Sequence, residues 1–389
     1  MAAQSYEVAV VGLGAYGAAT LMHLAKMGVR VVGIDQFSPP HEMGSSHGET
    51  RITRESIGEG GEYIQCVQRS HELWREIETA AHVSILSRCG GIIMDTDPAA
   101  VMHGVTGFAR TTAELARKHN IPHEVLTGRE AKPRFPGFAL DDDALVYYEP
   151  GAGFICPEVA IEAQLRLAES NGAVVVKENP VLQLERLPGG GVRILTPRGE
   201  IEAGACLLTA GAWTRKFLPQ KARSTLTVTR QVLHWLPIRR GSYQLNLSPI
   251  FIWSFGEGCD GHLYGFPSID QATVKIATEV FTEVASPDDV ERSVTVAEQE
   301  RFYEHHIVGR FPEVSGPPVR SKVCLYTTVP EARFIIERHP EISECLVASC
   351  CSGHGFKHSA GVGEALAATL RGVRPRIDLS VFARPEWHV

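Results

Sequence analysis

Apolar positions recur along this chain in two rhythms, and the stretch 8–35 shows both. Residues 8–11 are an unbroken apolar run, the pattern of a strand buried on both faces. Residues 15–27 repeat apolar side chains at helical spacing, and Gly28 stands where a helix would stop. A second apolar run, 29–34, ends at Asp35. Further along, the helical rhythm predicts helices over 63–81, 105–119, 157–172, 294–311 and 359–370. Apolar or alternating runs predict strands over 90–94, 144–148, 173–177, 191–196, 202–209, 274–278, 320–328 and 346–349. Three more runs, 226–237, 250–255 and 262–267, read as antiparallel strands. No internal repeat interrupts the pattern.

The turn inside the first unit carries Gly12, Gly14 and Gly17, a G-x-G-x-x-G between strand and helix. Gly12 permits the sharp exit from the strand. Gly14 lets backbone approach a pyrophosphate, and Gly17 lets the helix pack close. The helix N-terminus then offers free N–H groups and a positive dipole end to phosphate. Asp35 lies where an acid accepts hydrogen bonds from ribose hydroxyls. Strand, turn, helix, strand and acid together predict a dinucleotide site. They leave NAD and FAD undistinguished, while the acid argues against a 2′-phosphate.

Two later stretches repeat the strand-to-glycine turn. Residues 202–209 lead into Gly211, and 346–349 lead into Gly353, Gly355, Phe356 and Lys357. Nucleotide-type elements thus occur at both ends and in the middle, with β-rich stretches between. The pattern predicts an α/β fold of two domains: a discontinuous nucleotide domain (1–85, 145–220 and 320–389) and an antiparallel-sheet substrate domain (86–144 and 221–319).

Composition narrows the function classes. The chain has 389 residues, 44% hydrophobic and 21% charged, with a formal net charge of −7. Nothing here draws the whole chain to nucleic acid or anionic lipid. No apolar run reaches the length of a membrane span. The first apolar strand follows the N-terminus too closely for a secretory signal. Nine cysteines are scattered without a C-x-x-C pair, and Cys350 and Cys351 are adjacent. That usage predicts reduced thiols, a cytoplasmic setting and no metal centre.

Candidate chemistry sits in four places. The loop 44–54 holds Ser45, Ser46, His47, Arg51 and Arg54, an anion-cradling composition beside the first unit. Lys275 interrupts an apolar strand and is expected on a face that water or ligand reaches, since burying it is costly. A cation there would stabilise negative charge as O2 is reduced beside a flavin. Cys324 and Tyr326 share one face of a predicted strand; a thiolate at 324 could form a thioether with a flavin 8-methyl carbon, although a lone strand cysteine reads first as core. Lys357 adds positive charge beside the Gly353–Gly355 turn, whose helix end could face the anionic edge of a reduced flavin.

Taken together these motifs resemble the monomeric sarcosine oxidase and N-methyl-tryptophan oxidase family, FAD-dependent amine oxidases of the D-amino acid oxidase type. The match runs nearly end to end. It rests on the Gly12 motif with Asp35, the sequence from Ser45 to Arg51 with Arg54, Tyr264 in Y-G-F-P, Lys275, Cys324 in K-V-C-L-Y-T, and S-G-H-G-F-K ending at Lys357. The resemblance implies FAD held covalently through Cys324, with Val181 a backbone contact to the adenosine. It implies Arg54 and Lys357 on the substrate carboxylate and Tyr264 and Tyr326 lining the pocket. His47 and Arg51 would lie against the flavin ring, and Lys275 would be the oxygen-activating cation. The implied reaction is oxidation of a secondary amino acid (N-methyl or cyclic) to an imine that hydrolyses, with O2 reduced to H2O2 by a monomeric enzyme. A flavin dehydrogenase using a quinone or protein acceptor is the alternative. The chain departs from the pattern at Glu279, where sarcosine-active members usually carry histidine. A carboxylate there would favour a substrate with a second cation or turn away from the pocket.

Overall fold

The computed structural model describes residues 4–97, 99–239, 241–256 and 261–388. Its first layer is an eight-stranded sheet. Strand β1 (Gln4–Val11), helix α1 (Ala15–Lys26) and strand β2 (Val31–Ile34) open it as predicted. β1 pairs in parallel with β2 on one side and with Gly199–Leu208 on the other, and Val174–Val176 extends the sheet beyond β2. The long strand Gly199–Leu208 divides its free edge. Its first half takes Val192–Thr196 antiparallel, and its last residues take Cys345–Ser349 in parallel. The carboxyl ends of β1, β2, Gly199–Leu208 and Cys345–Ser349 therefore emerge on one side. In open α/β sheets that side holds the ligand.

α1 is buried from Ala15 to Ala25, because it is sandwiched between the sheet and the helices Pro157–Ser170 and Ser359–Leu370. Small residues permit this: a Cβ on Gly363 would lie 2.5 Å from the Cβ of Ala19.

The second large sheet also has eight strands, in the order Arg320–Thr328, Thr227–Pro237, Thr273–Thr278, His262–Gly265, Ile250–Ser254, Gly91–Asp95, Leu145–Glu149 and Glu124–Thr127. Its pairs are antiparallel except Ile250–Ser254 with Gly91–Asp95, which is parallel. Arg320–Thr328 and Leu145–Glu149, placed by the sequence in nucleotide-domain segments, lie in this sheet. Arg51–Thr53, Gly153–Ile155 and Leu86–Arg88 form a separate antiparallel sheet with Gly153–Ile155 in the middle.

Two predicted helices are shorter than their periodicity. Val105–Thr106 pairs with Val101–Met102 as a hairpin, and the helix starts only at Phe108–Lys118, after Gly107 in a left-handed conformation (φ 64°). The stretch 294–311 forms Val296–Phe302, opened by a Thr295–Glu298 capping box, and then widens into a π-turn over Tyr303–Ile307. Among the described residues no helix is long and apolar enough to cross a membrane.

Candidate active site

The turn after β1 is built as the sequence implied, with one refinement. Gly12 has φ 91°, and a Cβ there would meet the Thr209 carbonyl oxygen at 2.5 Å. Gly17 is more constrained, since its Cβ would lie 1.8 Å from the carbonyl oxygen of Gly12. Gly17 thus seats α1 on the turn itself rather than only against the sheet. Gly14 differs: a Cβ there meets only Ser46 Oγ, at 3.7 Å, and otherwise faces open cleft. Gly14 also caps α1 without a side-chain hydrogen bond, and Gly14, Ala15 and Tyr16 at the helix start line the cleft. Asp35 fixes the surrounding loops. Its Oδ2 accepts from the Leu13 amide at 2.7 Å and its Oδ1 from the Phe37 amide at 2.8 Å.

These residues line a cleft of about 1340 Å³ that runs along the carboxyl ends of the first sheet. Asp35, Ser45, Ser46, Arg51, Val181, Gly211, Gly353, Gly355 and Phe356 all face it. The cleft suits a dinucleotide: it has a helix N-terminus on its lining, a glycine whose missing side chain leaves space, and an acid at the end of β2.

The loop 44–51 is laced onto the strand Arg320–Thr328. Arg51 Nη2 donates to the Ser45 carbonyl at 2.7 Å, and Ser45 Oγ donates to the Leu325 carbonyl. Cys324 is fully buried beneath them, its Sγ 3.6 Å from Arg51 Nη2. Burial raises the thiol pKa more than the Arg51 charge lowers it. His47 is buried, with neither ring nitrogen hydrogen-bonded. Burial and then the charge of Arg51 push it down to about 3, so the ring is neutral.

Lys275 requires a correction. It lies on an interior strand, is 4% exposed and lines neither this cleft nor the cavity beside it. Its Nζ donates to the carbonyls of Gly48 and Thr50, each at 2.7 Å, and lies 4.0 Å from the centroid of Phe266. Two carbonyls and an aromatic face supply the partners that make burial tolerable. Burial, then Arg51, holds its pKa well below the usual lysine value.

A second cavity of about 500 Å³ adjoins the cleft. Arg51, Tyr326, Gly353 and Phe356 line both. Arg54, Tyr264, Glu279 and Lys357 line the second, so Arg54, Lys357, Tyr264 and Tyr326, which the resemblance placed at the substrate, come together there with Glu279. The phenol oxygens of Tyr264 and Tyr326 are 3.3 Å apart, and burial raises both pKa values. Lys357 donates to the His354 carbonyl at 2.7 Å. Burial pulls its pKa down to about 7 against the attraction of Glu59.

Glu59 and His103 were not legible in the sequence, where both fall outside every predicted helix, strand and motif. Arg54 Nη2 pairs with Glu59 Oε2 at 2.8 Å. His103 Nδ1 lies 3.2 Å from Glu59 Oε1, and its Nε2 lies 2.8 Å from Glu279 Oε2. Glu279 therefore does not turn away from the pocket, and its charge is already matched there. Burial disfavours the imidazolium, yet Glu279 and Glu59 outweigh it and raise His103 to about 10. Both carboxyls stay low despite burial, Glu279 through His103 and Glu59 through Arg54 and His354.

Residues 7–369 match the family described as DAO, FAD dependent oxidoreductase. The chain belongs to this family of FAD-dependent oxidoreductases. It is 33% identical to the monomeric sarcosine oxidase of Bacillus sp. (strain B-0618), over 97% of this chain and 95% of that protein. It is 28% identical to the N-methyl-L-tryptophan oxidase of Yersinia pestis (strain Pestoides F), over 97% and 98%. Among solved structures, NikD, an unusual amino acid oxidase essential for nikkomycin biosynthesis, superposes with a TM-score of 0.83 at 22% identity, covering 98% of this chain and 97% of that one. That likeness supports the two-domain fold of FAD-dependent oxidoreductases.

Proposed function

We propose that this FAD-dependent oxidoreductase is an oxidase of secondary amino acids, N-methyl or cyclic, that uses O2 and releases H2O2. The observation that carries the reading is a pair of cationic side chains, Lys357 and Arg54, lining a cavity that shares Tyr326 and Gly353 with the dinucleotide cleft, an arrangement suited to a carboxylate. The sarcosine and N-methyl-tryptophan oxidases it resembles make secondary amines the first substrates to try.

FAD when bound supplies the two-electron acceptor for the C–N bond and the route of those electrons to O2. The chain's own residues bind and orient. Lys357 and Arg54 pair with the substrate carboxylate, Arg54 sharing its charge with Glu59. Tyr264 and Tyr326 keep their protons and border the substrate. Positive charge around the cavity favours the neutral amine, whose lone pair the oxidation requires. Asp35, Val181 and Gly211 would hold the adenosine end, and the amides around Gly14 the phosphates. His47, Arg51, Gly355 and Phe356 would border the ring system, with Cys324 its covalent anchor.

Cys324→Ala is expected to release the flavin from covalent attachment. Acid-precipitated wild-type protein would form a yellow pellet, whereas the variant's colour would stay in the supernatant. Yellow supernatant from wild type would remove the role of Cys324 but leave the cleft reading intact. Lys275 lines neither cavity, so its effect on O2 would reach the flavin as charge through the backbone at Gly48 and Thr50 rather than by contact: Lys275→Met is expected to slow reoxidation by O2 while leaving anaerobic reduction by substrate within threefold, measured by stopped-flow absorbance.

The function is tested by oxygen uptake on a panel of N-methyl and cyclic secondary amino acids beside their primary counterparts. Rapid uptake with the secondary amines supports the oxidase. Turnover only with a quinone or other artificial acceptor would favour the dehydrogenase alternative.

A further inference from the structure

His103 is presented to the substrate cavity by a device of its own. It sits at the tip of the hairpin Val101–Met102 and Val105–Thr106, with His103 at φ 50° and Gly104 at φ 79°. These two strands pair only with each other among the described strands. Two consecutive left-handed residues make the tight turn that aims the ring inward. There its two nitrogens reach carboxylates from separate parts of the chain, Glu59 and Glu279. The ring also meets His354, with centroids 5.6 Å apart, and the edges of Phe108 and Phe281.

Among the groups in direct contact, Glu59 and Glu279 carry two negative charges, and Arg54 and His103 carry two positive ones; Lys357 lines the same cavity without an ion pair to either carboxylate and adds positive charge when protonated. Tyr326 and His262 complete the Glu279 environment at 3.3 and 3.5 Å. Two carboxylates buried this deeply form a site for a cation, and a side chain of this protein fills it.

We propose that His103 sets the side-chain specificity of the cavity by occupying a cation site formed by Glu59 and Glu279, so that the enzyme selects secondary amino acids with uncharged side chains over those with a distal cation. The proposal rests on the secondary amino acid reading above. A distal ammonium entering the cavity meets the imidazolium instead of a free carboxylate and is repelled. An uncharged side chain pays no such penalty. Discrimination comes from a repulsive element held in place by two attractive ones. Removing the imidazolium leaves Glu59 paired with Arg54 but Glu279 without its cation, and a buried unmatched charge strongly favours any counterion that fits.

The test compares Nα-methyl-lysine with Nα-methyl-norleucine as the ratio of their kcat/KM values, in flavin-loaded wild type, His103→Gln and Glu279→Gln. Wild type is expected to favour the norleucine derivative at least tenfold. His103→Gln should shift the ratio toward lysine at least tenfold, mostly through KM. Glu279→Gln leaves the cluster one charge positive, so its ratio should move further against lysine. These opposite signs are not produced by a merely structural role for His103. If His103→Gln loses its flavin on purification, the Glu279→Gln shift decides alone. A ratio that moves less than threefold in either flavin-loaded variant, or in the wrong direction, overturns the proposal.

Binding separates this result from the function itself. Hexanoate and 6-aminohexanoate carry the carboxylate and the distal group but no α-amine, and their dissociation constants are read from the flavin absorbance. Wild type that binds hexanoate tightly and oxidises neither amine would defeat the oxidase reading, while the hexanoate preference and its reversal in His103→Gln would still judge His103. Wild type that binds and oxidises none of the four compounds would overturn both.

Discussion

Lys357→Met is expected to lower kcat/KM for an N-methyl amino acid by roughly a hundredfold to a thousandfold, nearly all of it through KM. Removing one partner of a buried charge pair costs about 2–5 kcal/mol. Methionine keeps the length of the side chain and fills the same buried space, so flavin content should not change. Lys357 has a second signature. Burial holds its pKa at about 7, well below that of a free lysine, with Glu59 and Glu279 pulling upward and Arg54 pushing downward. A bound carboxylate adds negative charge beside the ammonium and so raises that pKa in the complex. The sign follows from linkage. Below about pH 7 the free site is already protonated and affinity is flat. Above it, binding takes up a proton, and the dissociation constant rises about tenfold per pH unit until the pKa of the complex is reached. An amine-free carboxylate such as hexanoate isolates this term from substrate ionisation. Loss of the slope in Lys357→Met would assign it to this lysine; an unchanged slope would place the titrating group elsewhere.

The glycine turn yields a prediction of comparable size on the cofactor side, because two of its glycines lack side chains for different reasons. Gly17→Ala places a Cβ 1.8 Å from the Gly12 carbonyl oxygen, which is backbone and cannot rotate away. α1 must then lift off the turn, although it is packed on both sides by Pro157–Ser170 and Ser359–Leu370. Overpacking at such a contact costs about 1–3 kcal/mol or more, and the turn that meets the phosphates moves with it. The expected result is protein purified without flavin and with a lowered melting temperature. Gly14→Ala is the matched control. Its Cβ meets only Ser46 Oγ at 3.7 Å, and its φ of −72° suits alanine. The apoprotein should melt within about 2 °C of wild-type apoprotein, since the change is worth about 1 kcal/mol at most. Its FAD affinity should nevertheless fall at least tenfold, because the methyl group projects into the cleft. Equal behaviour of the two variants, either both stable and flavin-loaded or both unfolded, would contradict this division of roles.

Much of this architecture was written in local pattern. β1, α1, β2 and Asp35 follow from apolar periodicity and glycine spacing, since all lie within one short stretch. The two-cavity arrangement was legible through the residues it gathers, from Arg51 and Arg54 to Lys357. The strands Arg51–Thr53, Leu86–Arg88, Glu124–Thr127 and Gly153–Ile155 were not, because three or four residues hold too little periodicity and their pairing is set by distant partners. Lys275 was misjudged for a related reason: the carbonyls of Gly48 and Thr50 that make its burial tolerable come from a loop more than two hundred residues away. Glu59 and His103 escaped because nothing local marks them. Their importance arises only when a loop and a hairpin converge on Glu279.

The central claim is that the two cavities form one catalytic unit for secondary amino acids. The most direct measurement mixes the flavin-loaded protein anaerobically with N-methyl and cyclic secondary amino acids and follows flavin absorbance, then admits O2. The account predicts rapid, complete bleaching by at least one secondary amino acid. It also predicts return of the oxidised spectrum with O2 and one H2O2 per flavin. A flavin that stays oxidised with every secondary amino acid while a primary amino acid or an amine without a carboxylate bleaches it would contradict the account.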